Sequence, residues 1–186
     1  MSTTTVSPDA SLVLHYTVRR CALGQVLVAA TPKGIAAVLL GEHKSALIDD
    51  LQLRYPQAQL DTGGALLHRW SDTVLEILSH PRLEHLVPLD VLRGTPFQRK
   101  VWKTLRAIPA GQTRTYREVA HAIGSPQSVR AVASACGANP LAVLVPCHRV
   151  LRSDGGLGGY RWGLERKRWL LQMEGALLGQ EEKKSC

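Results

Sequence analysis

Cys147 and His148 stand side by side in Pro146-Cys147-His148-Arg149-Val150, directly after the apolar run Leu141-Ala142-Val143-Leu144-Val145. A thiol beside an imidazole and a guanidinium sits in an electropositive setting. Such a setting lowers the thiol pKa from about 8.5 and raises the fraction of thiolate, the form that attacks electrophiles. Consecutive side chains in an extended strand face opposite ways, so direct contact between Cys147 and His148 requires a turn; otherwise a water must lie between them. Glu174 is a carboxylate that can orient the imidazole and complete a set of nucleophile, base and orienter. The residue types also fit a second reading, in which Cys147 is a buried packing cysteine.

The elements that must position this cluster fall into two halves. In the first, Leu12 to Val18, Gln25 to Ala30 and Ile35 to Leu40 read as strands, with Pro32-Lys33-Gly34 as a turn, and an antiparallel meander is the simplest arrangement. Two helices follow, Ser45 to Tyr55 with Leu47, Leu51 and Arg54 at helical spacing, and Leu66 to Ser79 with the stripe Leu67, Trp70, Val74 and Leu78. A linker around Pro88 to Gly94 leads to the second half.

There Thr95 caps a helix that has Pro96 at its first position and Phe97, Val101, Leu105 and Ile108 on one face, with Arg99, Lys100, Lys103 and Arg106 elsewhere on its surface. A second helix starts at Thr115, where Glu118 closes a capping box, and stops at Gly124. Ser125 is expected to cap a third, with Pro126 in its first turn, running inward-facing through Val129, Val132, Ala133 and Cys136. The short connection suggests a helix-turn-helix. The outward face of the third helix, Ser128, Arg130, Ala131, Ser134 and Ala135, is made mostly of small residues. Long base-reading side chains are scarce there, so minor-groove contact or insertion into the base stack suits it better than major-groove reading. A small-residue packing helix with a solvated Arg130 is the alternative.

Charge separates the halves. Met1 to Leu92 holds seven Lys/Arg and nine Asp/Glu, whereas Arg93 to Trp169 holds fourteen against three, within a net charge of +8. The second half therefore carries a field that attracts polyanions. Four cysteines, Cys21, Cys136, Cys147 and Cys186, show no CxxC spacing, which argues against a disulfide framework or a thiolate metal site, and Cys186 reads as an exposed thiol of little consequence. His15, His43, His68, His80 and His85 lack ligand spacing, so no metal is expected. The first ten residues lack a secretory pattern and no apolar run is long enough to span a bilayer, so the expectation is a soluble cytoplasmic protein without membrane contact.

The sequence Pro146-Cys147-His148-Arg149-Val150 resembles the acceptor-site signature of the methylated-DNA-protein-cysteine methyltransferases, or O6-alkylguanine-DNA alkyltransferases. Its ordered neighbours agree: Gly111-Gln112-Thr113-Arg114-Thr115-Tyr116, Arg130-Ala131-Val132, Asn139-Pro140 and Gly159-Tyr160-Arg161-Trp162-Gly163. The resemblance runs from about Tyr16 to Glu174 and is to the catalytic domain of the bacterial adaptive-response type. It implies an α/β (α+β) chain with a small ribonuclease-H-like structural domain over 1–92, a winged-helix-like DNA-binding and alkyl-acceptor domain over 93–176, and a polar tail over 177–186.

The same resemblance implies direct repair of O6-methylguanine in double-stranded DNA, and less efficiently of O4-methylthymine, by one irreversible transfer to Cys147 with no cofactor, the protein acting as a monomer with weak association along DNA left open. It makes His148 the base acting through water, Glu174 its orienter, and Tyr116 the residue that turns the nucleotide and donates to guanine N3. Arg130 fills the vacated space, flanked by Ser128, Ala131 and Ser134. Asn139 braces the turn before the site, and Pro146, Tyr160, Arg161 and Lys167 line or support the pocket. Arg161 stands where some members have serine, which leaves the donor to O6 open. Nothing in these residues matches the separate zinc-binding domain of the adaptive-response regulators, so transcriptional activation is not expected of them. The rival readings are a lesion-flagging DNA-binding protein, which needs no reactive thiol, and a cysteine hydrolase, which turns over repeatedly.

Overall fold

A computed structural model describes residues 12–80 and 87–176. The readings of the first ten residues, of His85, and of the tail with Cys186 lie outside the described residues.

The expected meander is present. Strands β1 (Val13–Cys21), β2 (Gly24–Thr31) and β3 (Gly34–Gly41) pair antiparallel in sequence order. Val26 to Ala30 and Ile35 to Leu40 are buried at every position, the pattern of strands covered on both faces. Helices α1 (Lys44–Arg54) and α2 (Ala65–Ser79) pack on the sheet and bury Leu47 and Leu51 from one, and Leu67, Val74, Ile77 and Leu78 from the other; Trp70 is only half-buried. Burying such an aliphatic side chain contributes about 1.5–3 kcal/mol. A fourth strand, β4 (Gln59–Thr62), was not legible in the sequence and lies parallel to β1 at the sheet edge. Gln59, Asp61 and Thr62 are exposed on it, so no apolar alternation marks it.

The other edge strand, β3, is covered by two later segments. Ile35 donates to Pro88 O and accepts from Asp90 N, each at 2.9 Å, and Val38 donates to Pro140 O and accepts from Ala142 N, also at 2.9 Å. Gly34 permits the first of these, since a Cβ there would stand 2.6 Å from Pro88 O. The stretch expected as a linker is thus fastened to the sheet, because an edge strand leaves N–H and C=O groups that take any partner the chain supplies. The second contact matters more for function: it fixes Leu141, six residues before Cys147, to the N-terminal sheet.

The C-terminal helical domain contains α3 (Pro96–Arg106), the two-residue β5 (Arg114–Thr115), α4 (Tyr116–Ala122), α5 (Val129–Gly137), the two-residue β6 (Val150–Leu151) and α6 (Leu164–Met173). Thr95 with Gln98, and Thr115 with Glu118, form reciprocal capping boxes that satisfy the first free amides of α3 and α4. Two expectations need correction. Helix α5 starts at Val129, not after Ser125; residues 125–128 form a turn closed by Ser128 N to Ser125 O at 2.9 Å, a local bond that competes with helix initiation. On α5, Ala135 is buried and Ala133 exposed, the reverse of the expected facing, because α3 packs against the Ala135 side and Trp102 Nε1 donates to Ala135 O at 2.8 Å. The apolar run Leu141 to Val145, which reads as a buried strand or core segment, is a core segment in a compact turn, buried except at half-buried Leu144 and with Val143 at φ 59°.

Candidate active site

The turn that carries Cys147 is shaped by one buried side chain. Asn139 Oδ1 accepts from Leu141 N at 2.9 Å, and its Nδ2 donates to Val145 O at 2.8 Å, to Leu141 O at 3.3 Å and to Cys147 Sγ at 3.2 Å. These bonds replace the ladder that a strand would have supplied, so the left-handed Val143 is tolerated. Pro146 then leads into a single 3-10 turn over Cys147–Arg149.

That turn sends the three side chains to different places. Cys147 is only 3% exposed, yet its accessible part forms the wall of a pocket of about 310 Å³ together with Tyr116, Ala133, Cys136, Gly137, Gly159, Tyr160 and Arg161. His148 points inward, where its Nε2 lies 2.8 Å from Glu174 Oε1, and no direct hydrogen bond joins it to Cys147; its Nδ1 is buried without a hydrogen-bond partner among the described residues. Arg149 grips both oxygens of Glu174, at 2.9 to 3.2 Å, and donates to Ile108 O.

The other expected site residues divide into three groups. Tyr116 and Tyr160 line the pocket with Cys147, and Tyr160 meets the His148 ring edge-on at 6.3 Å. Lys167 is fully buried behind it, donating to Val150 O at 2.6 Å, to Leu157 O, and to Gly159 O at 3.4 Å, which ties the loop bearing the pocket wall to α6. Arg130, Ala131 and Ser134 are exposed on α5, with Ser128 half-buried at its start, and none of these four lines the Cys147 pocket. Arg161 lines the pocket but is held from outside it, by Asp50 of α1 at 2.8 Å.

Sequence reasoning missed two members. Asp50 was not singled out, since it is one of two adjacent acidic residues on α1, and nothing in the sequence pairs it with Arg161, 111 positions away. Cys136 was assigned to packing alone; its position next to Gly137 at the end of α5 carried no sign that it would share a chamber with Cys147.

Comparison with known proteins decides what this cluster belongs to. Residues 96–176 match the 6-O-methylguanine DNA methyltransferase, DNA binding domain. The chain is 46% identical over 164 residues to the bifunctional transcriptional activator/DNA repair enzyme Ada of Escherichia coli, covering 88% of this chain and 46% of that protein. It is 36% identical over 161 residues to a methylated-DNA--protein-cysteine methyltransferase of Methanosarcina barkeri, covering 87% of this chain and 97% of the relative. The structure superposes on Mycobacterium tuberculosis OGT in complex with DNA with a TM-score of 0.73 at 36% identity, covering 87% of this chain and 93% of the other.

The chain belongs to the O6-alkylguanine-DNA alkyltransferase family. It is related to the catalytic domain of the Ada type, and spans about half the length of the Ada proteins of E. coli and Salmonella typhimurium. The fold common to this alkyltransferase and its relatives is α+β, an N-terminal sheet domain joined to a C-terminal helical one.

Electrostatics at the alkyltransferase site correct the simplest reading of the sequence. The thiol of Cys147 is not lowered by its neighbours: burial pushes it up to about 11, and the Asn139 hydrogen bond and the Lys167 charge only partly oppose that. Arg149 cannot serve the sulfur because Glu174 and Ile108 O engage its guanidinium. Burial likewise lowers the pKa of His148 against the pull of Glu174, which keeps the imidazole neutral. For Glu174 burial acts upward but loses to the hydrogen bonds and charges of His148 and Arg149, so its carboxyl falls to about 2. The ionised carboxylate can accept the Nε2–H of His148, which leaves Nδ1 as the free lone pair.

Proposed function

We propose that this protein repairs O6-alkylguanine in duplex DNA by moving the alkyl group to Cys147 Sγ, once per molecule. The observation that carries the reading is the placement of the Cys147 sulfur in a pocket wall, beside a buried neutral imidazole whose one nitrogen has no hydrogen-bond partner among the described residues and whose other nitrogen is held by a carboxylate. The match to a DNA-bound relative and the +8 net charge support duplex DNA as the partner.

In this reading α4 and α5 are the helix-turn-helix, and the exposed Arg130, Ala131 and Ser134 approach the minor groove, with Ser128 beside them at the start of α5. Extruding a nucleotide costs a few kcal/mol of stacking and pairing, which Arg130 offsets by filling the gap. Tyr116, pushed up to about 12 by burial and the nearby thiols, stays protonated and serves as donor to guanine N3. The Cys147 proton passes through a water to His148 Nδ1, which the ionised Glu174 makes a better acceptor. Sulfur then attacks the saturated carbon, the bond from carbon to O6 breaks, guanine leaves with the Tyr116 proton at N3, and the proton held by His148 returns through water to the tyrosinate, so in the balance guanine gains the proton the thiol gives up. A buried neutral thiol at rest suits this order, since the charge is created only when the substrate is in place.

The product is a thioether, a poor leaving group, so Cys147 is consumed. The base brings its own alkyl group and no methyl-donor cofactor is required. Thymine alkylated at O4 presents the same kind of carbon and is expected to react more slowly. One chain holds every proposed group, so a monomer suffices.

The test mixes the protein with a duplex containing O6-methylguanine and follows restored guanine and protein mass together. One methyl per molecule on the Cys147 peptide is expected, with Cys147→Ala retaining lesion binding and losing transfer. A methyl on Cys136, which lines the same pocket, moves the acceptor. No methyl on the protein rejects alkyl transfer in favour of lesion flagging.

A further inference from the structure

Of the described residues that line the Cys147 pocket, Arg161 alone carries a charge. Its backbone is fixed from both sides: Gly163 N donates to Tyr160 O at 3.0 Å, closing a turn over 160–163, and Lys167 Nζ donates to Gly159 O at 3.4 Å. Tyr160 packs on the buried Trp162 with ring centroids 5.3 Å apart, while the Arg161 side chain between them stays at the surface. There Arg161 Nη2 donates to Asp50 Oδ1 of α1 at 2.8 Å, and Arg54 Nε donates to Asp50 Oδ2 at 3.2 Å. One carboxylate is thus shared by two guanidiniums. The pair with Arg161 is open to solvent, its members 36% and 30% exposed, and water and salt weaken such a pair.

The pocket has a floor and a mouth. Cys136 and Cys147 are buried, whereas Ala133, Gly137, Gly159 and Arg161 are exposed. Ala133 and Gly137 follow Arg130 on α5 at i+3 and i+7, so the three share one face of the helix. The mouth therefore opens beside Arg130, and Arg161 stands across it on the loop before α6. A base turned out of a duplex enters such a pocket with its sugar and phosphates left at the mouth. The alanine and the two glycines there bring no charge, so Arg161 is the side chain at the mouth that can meet an anion.

We propose that Arg161 binds a phosphate of the extruded nucleotide, and that Asp50 occupies its guanidinium until DNA arrives. The inference rests on the proposed function only in taking the Cys147 pocket as the place where a base enters and the α5 face as the side from which it comes. The oxygens of a phosphate match the planar fork of arginine, which lets them displace a carboxylate that is shared and solvent-exposed. The exchange leaves Asp50 with a partner, because Arg54 retains its other oxygen. The contact forms only when a nucleotide lies outside the stack, so it favours lesion DNA over intact DNA while reading no base. It also gives the Arg161 side chain to the DNA backbone rather than to O6.

The test measures the salt dependence of duplex affinity in the Cys147→Ala chain, using a duplex with O6-methylguanine and its undamaged counterpart. Adding Arg161→Gln should lower the slope of log affinity against log salt by about 0.9, the share of one phosphate, on the lesion duplex and leave the undamaged slope where it was. Arg161→Lys keeps the charge and should keep the slope. Asp50→Asn removes the competing carboxylate and should tighten lesion binding severalfold more than binding of the undamaged duplex. An unchanged slope in Arg161→Gln overturns the proposal, as does an equal fall on the two duplexes or an Asp50→Asn chain that favours the lesion no more than before. Methyl transfer from the free O6-methylguanine base, which has no phosphate, is followed in chains that keep Cys147. Arg161→Gln should react there at the wild-type rate, and slowing would give Arg161 to the base instead. A slope change without any methyl transfer in the wild type rejects the alkyl-transfer reading and leaves the phosphate contact standing; transfer with an unchanged slope rejects the contact alone.

Discussion

Asn139 Nδ2 donates to Cys147 Sγ at 3.2 Å while the same side chain holds the amide of Leu141 and the carbonyls of Leu141 and Val145. One fully buried amide thus sets both the shape of the acceptor turn and the position of its sulfur. It also acts in the direction of stabilising thiolate.

Replacing Asn139 by Ala removes four hydrogen bonds and leaves backbone groups of a buried turn unsatisfied. A loss of about 3 kcal/mol in unfolding free energy is expected, from one or two uncompensated buried polar groups at about 1–3 kcal/mol each. Urea denaturation measures the stability. In the fraction that remains folded, the Cys147 thiol should titrate higher than in the wild type. A stable variant with an unmoved thiol titration would show that the turn is held by other contacts.

Glu174 makes stability depend on acid. Its carboxyl is held at about 2 against an ordinary value near 4.5. A depressed carboxyl contributes stability that is fully present above its unfolded pKa and lost as pH falls through its folded one. The window is therefore about pH 4.5 down to about pH 2. The contribution is on the order of 3 kcal/mol, at 1.36 kcal/mol per pKa unit. Glu174→Gln should be less stable at pH 7 and show a flatter loss across that window in thermal melts, together with slower methyl transfer because His148 is no longer oriented by an anion. An unchanged pH profile of stability would place the acid sensitivity elsewhere.

Arg130 is exposed and does not line the pocket, which fits the proposed contact with the duplex rather than a part in the chemistry. Arg130→Ala is expected to slow repair of a lesion in duplex DNA by tenfold or more, in line with an extrusion cost of a few kcal/mol. The free O6-alkylguanine base, which needs no extrusion, should react at the wild-type rate. Equal slowing on both substrates would contradict the assignment.

Gly158 lies under Tyr116. It has φ 65°, and a Cβ there would stand 3.0 Å from both Tyr116 Cε2 and the phenolic oxygen. Gly158→Ala combines backbone strain of about 1 kcal/mol with displacement of the tyrosine from the pocket wall. Slower transfer with nearly intact DNA affinity is expected from stopped-flow repair and equilibrium binding. A variant with wild-type transfer would show that the position of Tyr116 is not limiting.

Much of this protein is legible without coordinates. The β2 and β3 runs, the two apolar helix stripes, Thr95-Pro96 and the Thr115/Glu118 box each carry a local signal, since caps, turns and periodicity depend on residues a few positions apart. The acceptor cysteine and its neighbours are legible by family resemblance. What failed was whatever depended on distant partners. β4 is polar because it is an edge, and the Pro88 to Gly94 stretch is bound to the sheet because β3 has an open edge; the late start of α5 is the exception, set by a local turn between Ser125 and Ser128 that competes with the cap.

The same division runs through the site. From Pro146-Cys147-His148-Arg149 alone, an activated thiol beside two cations is the natural reading, because adjacent charges in sequence suggest adjacent charges in space. Folding sends Arg149 and His148 to Glu174, buries the sulfur, and raises its pKa instead of lowering it. Residue types determined that a thiol, an imidazole and a carboxylate were present. Only the tertiary structure decided which of them meet, because a single 3-10 turn separates neighbours while the packing of α6 brings Glu174 across 26 positions to His148.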